Sequence, residues 1–477
     1  MNKFNHYYLA AILTVAGAFS CQTTLADKLP DLGNEYRATL SVEDERLIGN
    51  NWMQQIRAAG MVYPDQLVNE YIQHLGNKLT KFVSTPYLDK HIQFFAINDK
   101  SINAFAFFGG HIAVHSGLIL ISETESELAG VMAHELGHIA KEHVLRQITE
   151  SKRMMPVTLA QSLAAIVVGR PELLIPVLAG HGQHMLNFSR QHEQEADRLG
   201  MQILARAQFD PHGLPDMFER MSTSSRYRNK PPEYLLSHPV YESRISDTKH
   251  RADAFVYKQN TSSTMFHLIR ARLLVQNTDN LQQLLSEYQH KLQTKRHANE
   301  LANTYGYAYA LHKSGKTVNA WQLIQPLLSN YPEDIIIQMT AAEMELELQQ
   351  ASAAQARLEK LLRLYPDSYS LSLQYIELLL QTKQAKQAHQ ELARYKTMHA
   401  LEPIFYEQLR QAASMLGNQT EVYTANAEWY VLCGDLDSAL RQLELASSIK
   451  TNNAKTNEQI AARSQQLTAL QKKLKAI

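Results

Sequence analysis

The chain reads as a mainly α protein in two parts: a helical domain carrying a small sheet, then an all-helical repeat solenoid. Three observations predict this. Strand signals are confined to the first half, where Gly109-Gly110-His111-Ile112-Ala113-Val114 is one such run. From about residue 265 those signals vanish, and Ala, Leu, Gln, Tyr and Lys dominate. In that second half the sequence repeats itself: Pro332 and Pro366 stand 34 positions apart, as do Ala320, Ala354 and Ala388. With 477 residues there is material for two or three domains, and 47 basic against 47 acidic residues leave no electrostatic footprint for a nucleic acid.

The first residues read as a secretory leader. Lys3 supplies the positive start, Tyr7 to Phe19 is apolar but too short for a spanning helix, and Thr24-Leu25-Ala26 places small residues at a cleavage site. The expected leader is 1–26. Cys21 raises the alternative of a lipid anchor, but bulky Phe19 makes Ala18-Phe19-Ser20-Cys21 a poor lipidation sequence. After cleavage at Ala26, Cys433 is the one cysteine left, so no intrachain disulfide is expected.

The run Ser126 to Val144 reads as one helix. Leu128, Val131, Met132, Leu136, Ile139 and Ala140 form its apolar stripe, and Ser122 or Thr124 is its expected cap. It carries His134-Glu135-Leu136-Gly137-His138, which matches H-E-x-x-H. Histidines four apart share a helix face, so both imidazoles can reach one metal ion, and Glu135 projects beside them where it can act on a polarised water. A catalytic zinc site takes three protein ligands and one open position. The expected third ligand lies in His192-Glu193-Gln194-Glu195-Ala196-Asp197, where Glu193 and Asp197 share a face. Glu193 is placed to bind metal and Asp197 to accept the spare N–H of a ligand histidine, with Glu195 as the rival ligand.

These two motifs together, with Asn103-Ala104-Phe105-Ala106 and Gly109 to Val114 ahead of them, resemble the M48 family of zinc metallopeptidases over roughly residues 45–250. The resemblance implies a zincin-like α+β fold, zinc on His134, His138 and Glu193 rather than Glu195, one ion per chain, and Glu135 as catalytic base. It sets the expected domains at 27–262 for the peptidase and 263–477 for the repeats.

Other residues are read more plainly. Val157 to Val168 and Leu173 to Ala179 flank Gly169-Arg170-Pro171-Glu172, a buried helical hairpin or else a lid or membrane-touching patch. His143 falls five positions after His138, on another part of the helix, and reads as packing or as a residue behind the ligands. His181, His184 and His192 read as loop histidines near the site, and Arg190 is a candidate to stabilise the oxyanion. The Gly109–Val114 segment is expected at a sheet edge, where it could pair with an extended substrate. Ser237-His238-Pro239 holds His238 in an extended conformation. We read His238 as a fourth zinc ligand that closes the open position and keeps the enzyme latent.

The 34-residue period of the second half is that of tetratricopeptide repeats, with Ala where helices cross closely and Pro after the second helix. Ile324, Leu358 and Leu392 keep it, as do Leu327 and Leu361; Trp429, Gly434, Ala439 and Leu443 mark a later unit. The helix ending near Ile477 should cap the stack. Such arrays bind through a concave surface, so the repeats are expected to be a substrate or partner platform. Gly315-Lys316-Thr317 is no phosphate loop, because Ala310 stands where the first Gly is required.

Leader, M48-like core, His-Pro segment and C-terminal repeats together resemble a periplasmic branch of that family. That resemblance implies degradation of unfolded or stalled outer-membrane barrel proteins, a chaperone-like part in their assembly, contact with the barrel-assembly machinery and peripheral membrane contact. The alternative is a repeat-based chaperone or scaffold whose zinc site is latent or structural.

Overall fold

The computed structural model describes residues 40–83, 92–154, 190–226, 231–256, 261–294, 299–398, 402–449 and 454–476. The expected leader, Cys21, the 157–179 apolar segment, His181 and His184 lie outside them. The chain divides into a unit of Met1–Ser41 and one of Val42–Ile477, and the second is described below. Among the described residues, no helix is long and apolar enough to cross a membrane.

The first half of this unit holds α1 (Val42–Ala58), α2 (Gln66–Thr80), β1 (Gln93–Ile97), β2 (Ala104–Phe107), β3 (His111–His115), α3 (Ser116–Ile121), α4 (Glu125–Ala140) and α5 (His143–Met154). After the undescribed stretch come α6 (Arg190–Arg206), α7 (Gly213–Arg226), α8 (Glu233–Ser237) and α9 (Glu242–Asp253).

The sheet order is β1-β3-β2, with β1 parallel and β2 antiparallel to β3. The segment expected at the edge is therefore the central strand, and β2 is the edge beside α4. Gly109 and Gly110, both at φ 79, make the tight turn that folds β3 back along β2 and inserts it between its neighbours. Phe94, Ala96, Ala106, Ile112 and Val114 face the main core with α2 and α4, while Phe95, Ile97, Phe107 and Ala113 face Met53 and Ile56 of α1.

Thr124, not Ser122, caps α4, accepting from the Glu127 N–H at 3.2 Å. The expected single helix to Val144 is broken. Glu142 has φ 54, a left-handed conformation that an α-helix cannot contain, so α4 ends at Ala140 and α5 restarts at His143.

The second half is helical throughout: α10 (Thr264–Asn277), α11 (Leu281–Thr294), α12 (Glu300–Lys313), α13 (Thr317–Asn330), α14 (Ile335–Glu347), α15 (Ala351–Leu364), α16 (Tyr369–Gln381), α17 (Ala385–Met398), α18 (Pro403–Met415), α19 (Gln419–Leu432), α20 (Leu436–Ser448) and α21 (Ala454–Ala476). Ala320, Ala354 and Ala388 are fully buried, as close helix crossings require. The period also sets the caps: Asp334 accepts from the N–H groups of Ile336 and Ile337, and Ser368, 34 positions on, caps α16. Ile460 and Leu467 seat α21 against Leu443, closing the stack.

The repeats grip the first half. Arg272 of α10 is buried among Asp65 at the cap of α2 (2.5 Å), Glu343 of α14 (2.9 Å) and Thr340 (3.1 Å), and lies 4.5 Å from the Tyr309 ring. Glu70 of α2 accepts from the Ser368 hydroxyl and from the backbone and hydroxyl of Ser370 at the start of α16. Arg57 of α1 donates to both carboxylate oxygens of Glu402, at 3.0 and 2.9 Å. Part of the repeat surface expected to be a partner platform is thus occupied by the chain's own α1 and α2.

Candidate metal centre

Two helices bring the chemistry together. Gly137 and Gly200 let α4 and α6 cross closely: a Cβ on Gly137 would stand 2.9 Å from the Ala196 carbonyl oxygen, and one on Gly200 3.0 Å from the His134 backbone nitrogen. His134, Glu135 and His138 from α4, Glu193 and Asp197 from α6, and His238 after α8 are all buried. One ligand atom from each of His134, His138, Glu193 and His238 falls within 4.8 Å of the others, so the four could hold a metal ion.

The contacts define the arrangement. His134 Nε2 and His138 Nε2 are 2.9 Å apart, and each is 3.5 Å from a Glu193 carboxylate oxygen. His238 Nδ1 is 3.0 Å from Glu193 Oε1, and its Nε2 is 3.7 Å from Glu135. Among the described residues, no side chain hydrogen-bonds either oxygen of the buried Glu135 carboxylate. Its neighbour is the backbone N–H of Ala106 on β2. Three imidazoles and a carboxylate converging in a buried pocket form a donor set suited to zinc.

Behind the ligands stands a second set of groups. Asp197 Oδ1 lies 2.8 Å from His134 Nδ1, the position expected of a residue that fixes a ligand's tautomer. Arg244 of α9 clamps Asp197 with Nε and Nη2, at 2.7 and 2.8 Å, and reaches Glu193 Oε2 at 2.7 Å. His143 Nδ1 is 2.8 Å from His138 Nδ1, and its Nε2 is 3.2 Å from Glu195 Oε2. Glu195, the rival ligand in the sequence, faces His143 and Arg146 and stands outside the four-residue cluster. His192 stacks on His143 at 4.4 Å. Arg190, the oxyanion candidate, lies over the Tyr241 ring. His111 stacks on Phe107 and His115 meets Ser101, both on the sheet face turned to α1 rather than at the cluster.

Burial raises the Glu135 carboxyl, with nearby His238 and His134 opposing, which moves it toward the range of a general base or acid. Burial also holds the His138 imidazole well below its ordinary value, with a smaller push in the same direction from His134. For His134 burial acts the same way, but hydrogen bonds to Asp197 and Glu193 outweigh it and lift the ring to about 9. Glu193 and Asp197 resist burial's upward push. His238 and His134 keep Glu193 well below the usual carboxylate range, and Arg244 keeps Asp197 low.

Sequence reasoning missed Arg244 as the clamp on both carboxylates, although an arginine six positions after His238 was a faint signal. It read His143 as packing or as a residue behind the ligands, and the structure sets it against His138 Nδ1, a contact that depends on the left-handed Glu142.

Residues 66–252 match the model of peptidase family M48. The chain is 34% identical over 476 residues to the beta-barrel assembly-enhancing protease of Escherichia coli K12, covering 98% of this chain and 96% of that protein. It is 34% identical over 431 residues to the protein of that name from Yersinia pestis, covering 88% of each. It is also 31% identical over 157 residues to the metalloprotease LoiP of Escherichia coli K12, covering 32% of this chain and 60% of that one.

Proposed function

The chain belongs to peptidase family M48 and is a zinc metalloendopeptidase, and from that premise we propose how its residues share the work and what it acts on. His134, His138 and Glu193 hold one zinc ion per chain, Asp197 orients His134, and His238 is a displaceable fourth ligand that keeps the enzyme latent. When bound, zinc supplies a Lewis acid that polarises both the attacking water and the scissile carbonyl. Glu135 takes the water's proton on its carboxylate and returns it to the leaving amine. The edge strand β2, with Ala106 beside Glu135, aligns an extended substrate in front of that carboxylate. Closure of the site by α6, α8 and α9 excludes water from the ligand set.

The substrate reading rests on the beta-barrel assembly-enhancing proteases that the chain resembles along nearly its whole length. We propose an exported enzyme, with a leader at 1–26, a peptidase domain at 27–262 and repeats at 263–477. It works in the periplasm, where it degrades stalled or misfolded outer-membrane barrel proteins, assists the assembly of others and contacts the barrel-assembly machinery. The repeat surface left free by α1 and α2 binds these partners.

The observation that carries latency is the place of His238, buried in the cluster and 3.0 Å from Glu193. It also favours a second reading. A closed four-ligand site is the pattern of structural zinc, and then the repeats act as a chaperone around a silent metal. Degradation of an unfolded outer-membrane barrel protein by the purified mature chain separates the two. H238A should cleave faster than wild type, and H238A/E135Q should retain zinc and not cleave. Zinc-loaded H238A that cleaves no faster than H238A/E135Q would leave the chaperone reading standing.

A further inference from the structure

His143 is buried and touches both His138 and Glu195, with the His192 ring stacked on it at 4.4 Å, yet the proposed chemistry leaves it without a task. Its two ring nitrogens point in opposite directions, Nδ1 to His138 Nδ1 at 2.8 Å and Nε2 to Glu195 Oε2 at 3.2 Å. Glu195 Oε2 also accepts from Arg146 Nη1 at 3.1 Å, and Glu195 Oε1 accepts from Gln191 Nε2 at 3.1 Å.

The proton positions in this chain follow from one premise. His138 Nε2 is the nitrogen turned to His134 and Glu193. If that atom binds metal, it carries no proton, so the proton sits on Nδ1. His138 Nδ1–H must then donate to His143 Nδ1, which is bare. His143 carries its own proton on Nε2 and donates it to Glu195. Each step admits one direction only, and the line ends on a carboxylate held by two further donors. His134 has a counterpart in Asp197, itself held by Arg244. Each α4 histidine thus has a partner behind it, one direct and one through a second imidazole.

The backbone is bent to make this contact. In an unbroken helix a residue five positions on would point roughly 140° away from His138. Glu142 at φ 54 reverses the chain and swings His143 beneath His138.

We propose that His143 is a positioning residue that fixes the Nδ1–H tautomer and ring orientation of His138, with Glu195 as the terminal acceptor. The proposal rests on the reading of His138 as a zinc ligand. Groups of this kind change metal affinity by about 10–100-fold when removed.

The test is zinc competition against a chelating dye, using the full mature chain in wild type, H138A, H143L, H143Q and E195L forms, with melting temperatures alongside. H143L, which has no acceptor, should raise the zinc Kd by about 10–100-fold. H143Q, whose amide oxygen can accept from His138, should recover most of that loss. E195L, altered at the half-exposed end of the line, should give a smaller loss in the same direction. Equal zinc affinity in H143L and wild type overturns the proposal. So does equal weakening by H143L and H143Q together with equal loss of melting temperature, since that is the signature of packing alone. If H143L fails to fold, an unchanged Kd in E195L with full affinity in H143Q overturns it. H138A that binds zinc like wild type overturns the metal-site reading instead, and leaves His143 with no ligand to position.

Discussion

Replacing Arg272 with Met tests whether the grip of the repeats on the peptidase half is carried by buried charge. Arg272 side-chain exposure is 6% and that of Asp65 is 9%, so the pair is shielded from solvent screening, while Glu343 at 23% is partly screened. Methionine keeps the stem and removes the guanidinium. Among the described residues, Asp65 then stands in a buried site with Gln276 and the Leu67 N–H as its remaining donors. Removing one partner of a buried pair costs about 3–5 kcal/mol, most of it from the stranded charge. Burial pushes the Asp65 carboxyl up, but Arg272 overcomes this and holds it below its ordinary value. The pair's stabilisation is therefore present above the unfolded-state value, about 3.9, and is lost as pH falls through the lower folded value. In R272M the opposing guanidinium is gone, so burial raises the Asp65 carboxyl and lets it take up a proton in mild acid, and the cost of R272M should be largest near neutrality and smaller by pH 4. Urea unfolding followed by tryptophan fluorescence at pH 7 and pH 4 measures both. D65N, which keeps the cap on α2, should cost less by itself and should lower the penalty of R272M in the double variant by at least about 1 kcal/mol. A loss under about 1 kcal/mol for R272M at neutral pH, or simple additivity with D65N, would refute the reasoning.

Three further outcomes follow from the same structure. Glu70 differs in sign from Asp65: burial raises its carboxyl, with Ser370 and Ser368 opposing. Its favourable contribution is present below the unfolded value and lost as pH rises through the folded one, so E70Q should be neutral or stabilising in thermal melts at pH 8 and lose that advantage at pH 4. G200A places a methyl 3.0 Å from the His134 backbone nitrogen, and should cost about 1–3 kcal/mol by overpacking and weaken zinc in chelator competition. R244K keeps a charge but not the fork that reaches both Asp197 and Glu193, so it should weaken zinc more than it lowers the melting temperature.

What could be read from the sequence divides along the range of the interactions that decide it. His134 and His138 on one face, Glu193 and Asp197 on another, and caps and alanines at a 34-residue spacing are local facts of helical geometry, and the structure reproduces those placements. His238 stands in the cluster, but as the C-cap of α8 at φ −122 and ψ 79 rather than in the extended conformation expected before a proline, and nothing in the chain says that Glu193 waits 45 positions away. The failures are of another kind. The Gly109–Val114 run carries every strand preference, but whether a strand is central or at an edge depends on what pairs beyond it, and here β1 does. The break after α4 depends on a left-handed Glu142, and nothing in a glutamate's own preferences marks it as the place where a helix ends. Asp65 and Arg272 lie 207 positions apart, and each reads alone as a solvated charge. That last case changes what the repeats can be taken to do. A periodic array suggests an open surface, yet Arg272, Ser368 and Glu402 spend part of that surface on α1 and α2. A partner that engages the remaining repeat face therefore touches helices already packed on the peptidase. The repeats also reach the helix that carries His134 directly: Ser263, the cap of α10, donates its backbone N–H and its hydroxyl to Glu125 at the start of α4, at 3.0 and 2.7 Å, and Glu125 accepts there from the Tyr71 hydroxyl of α2 as well.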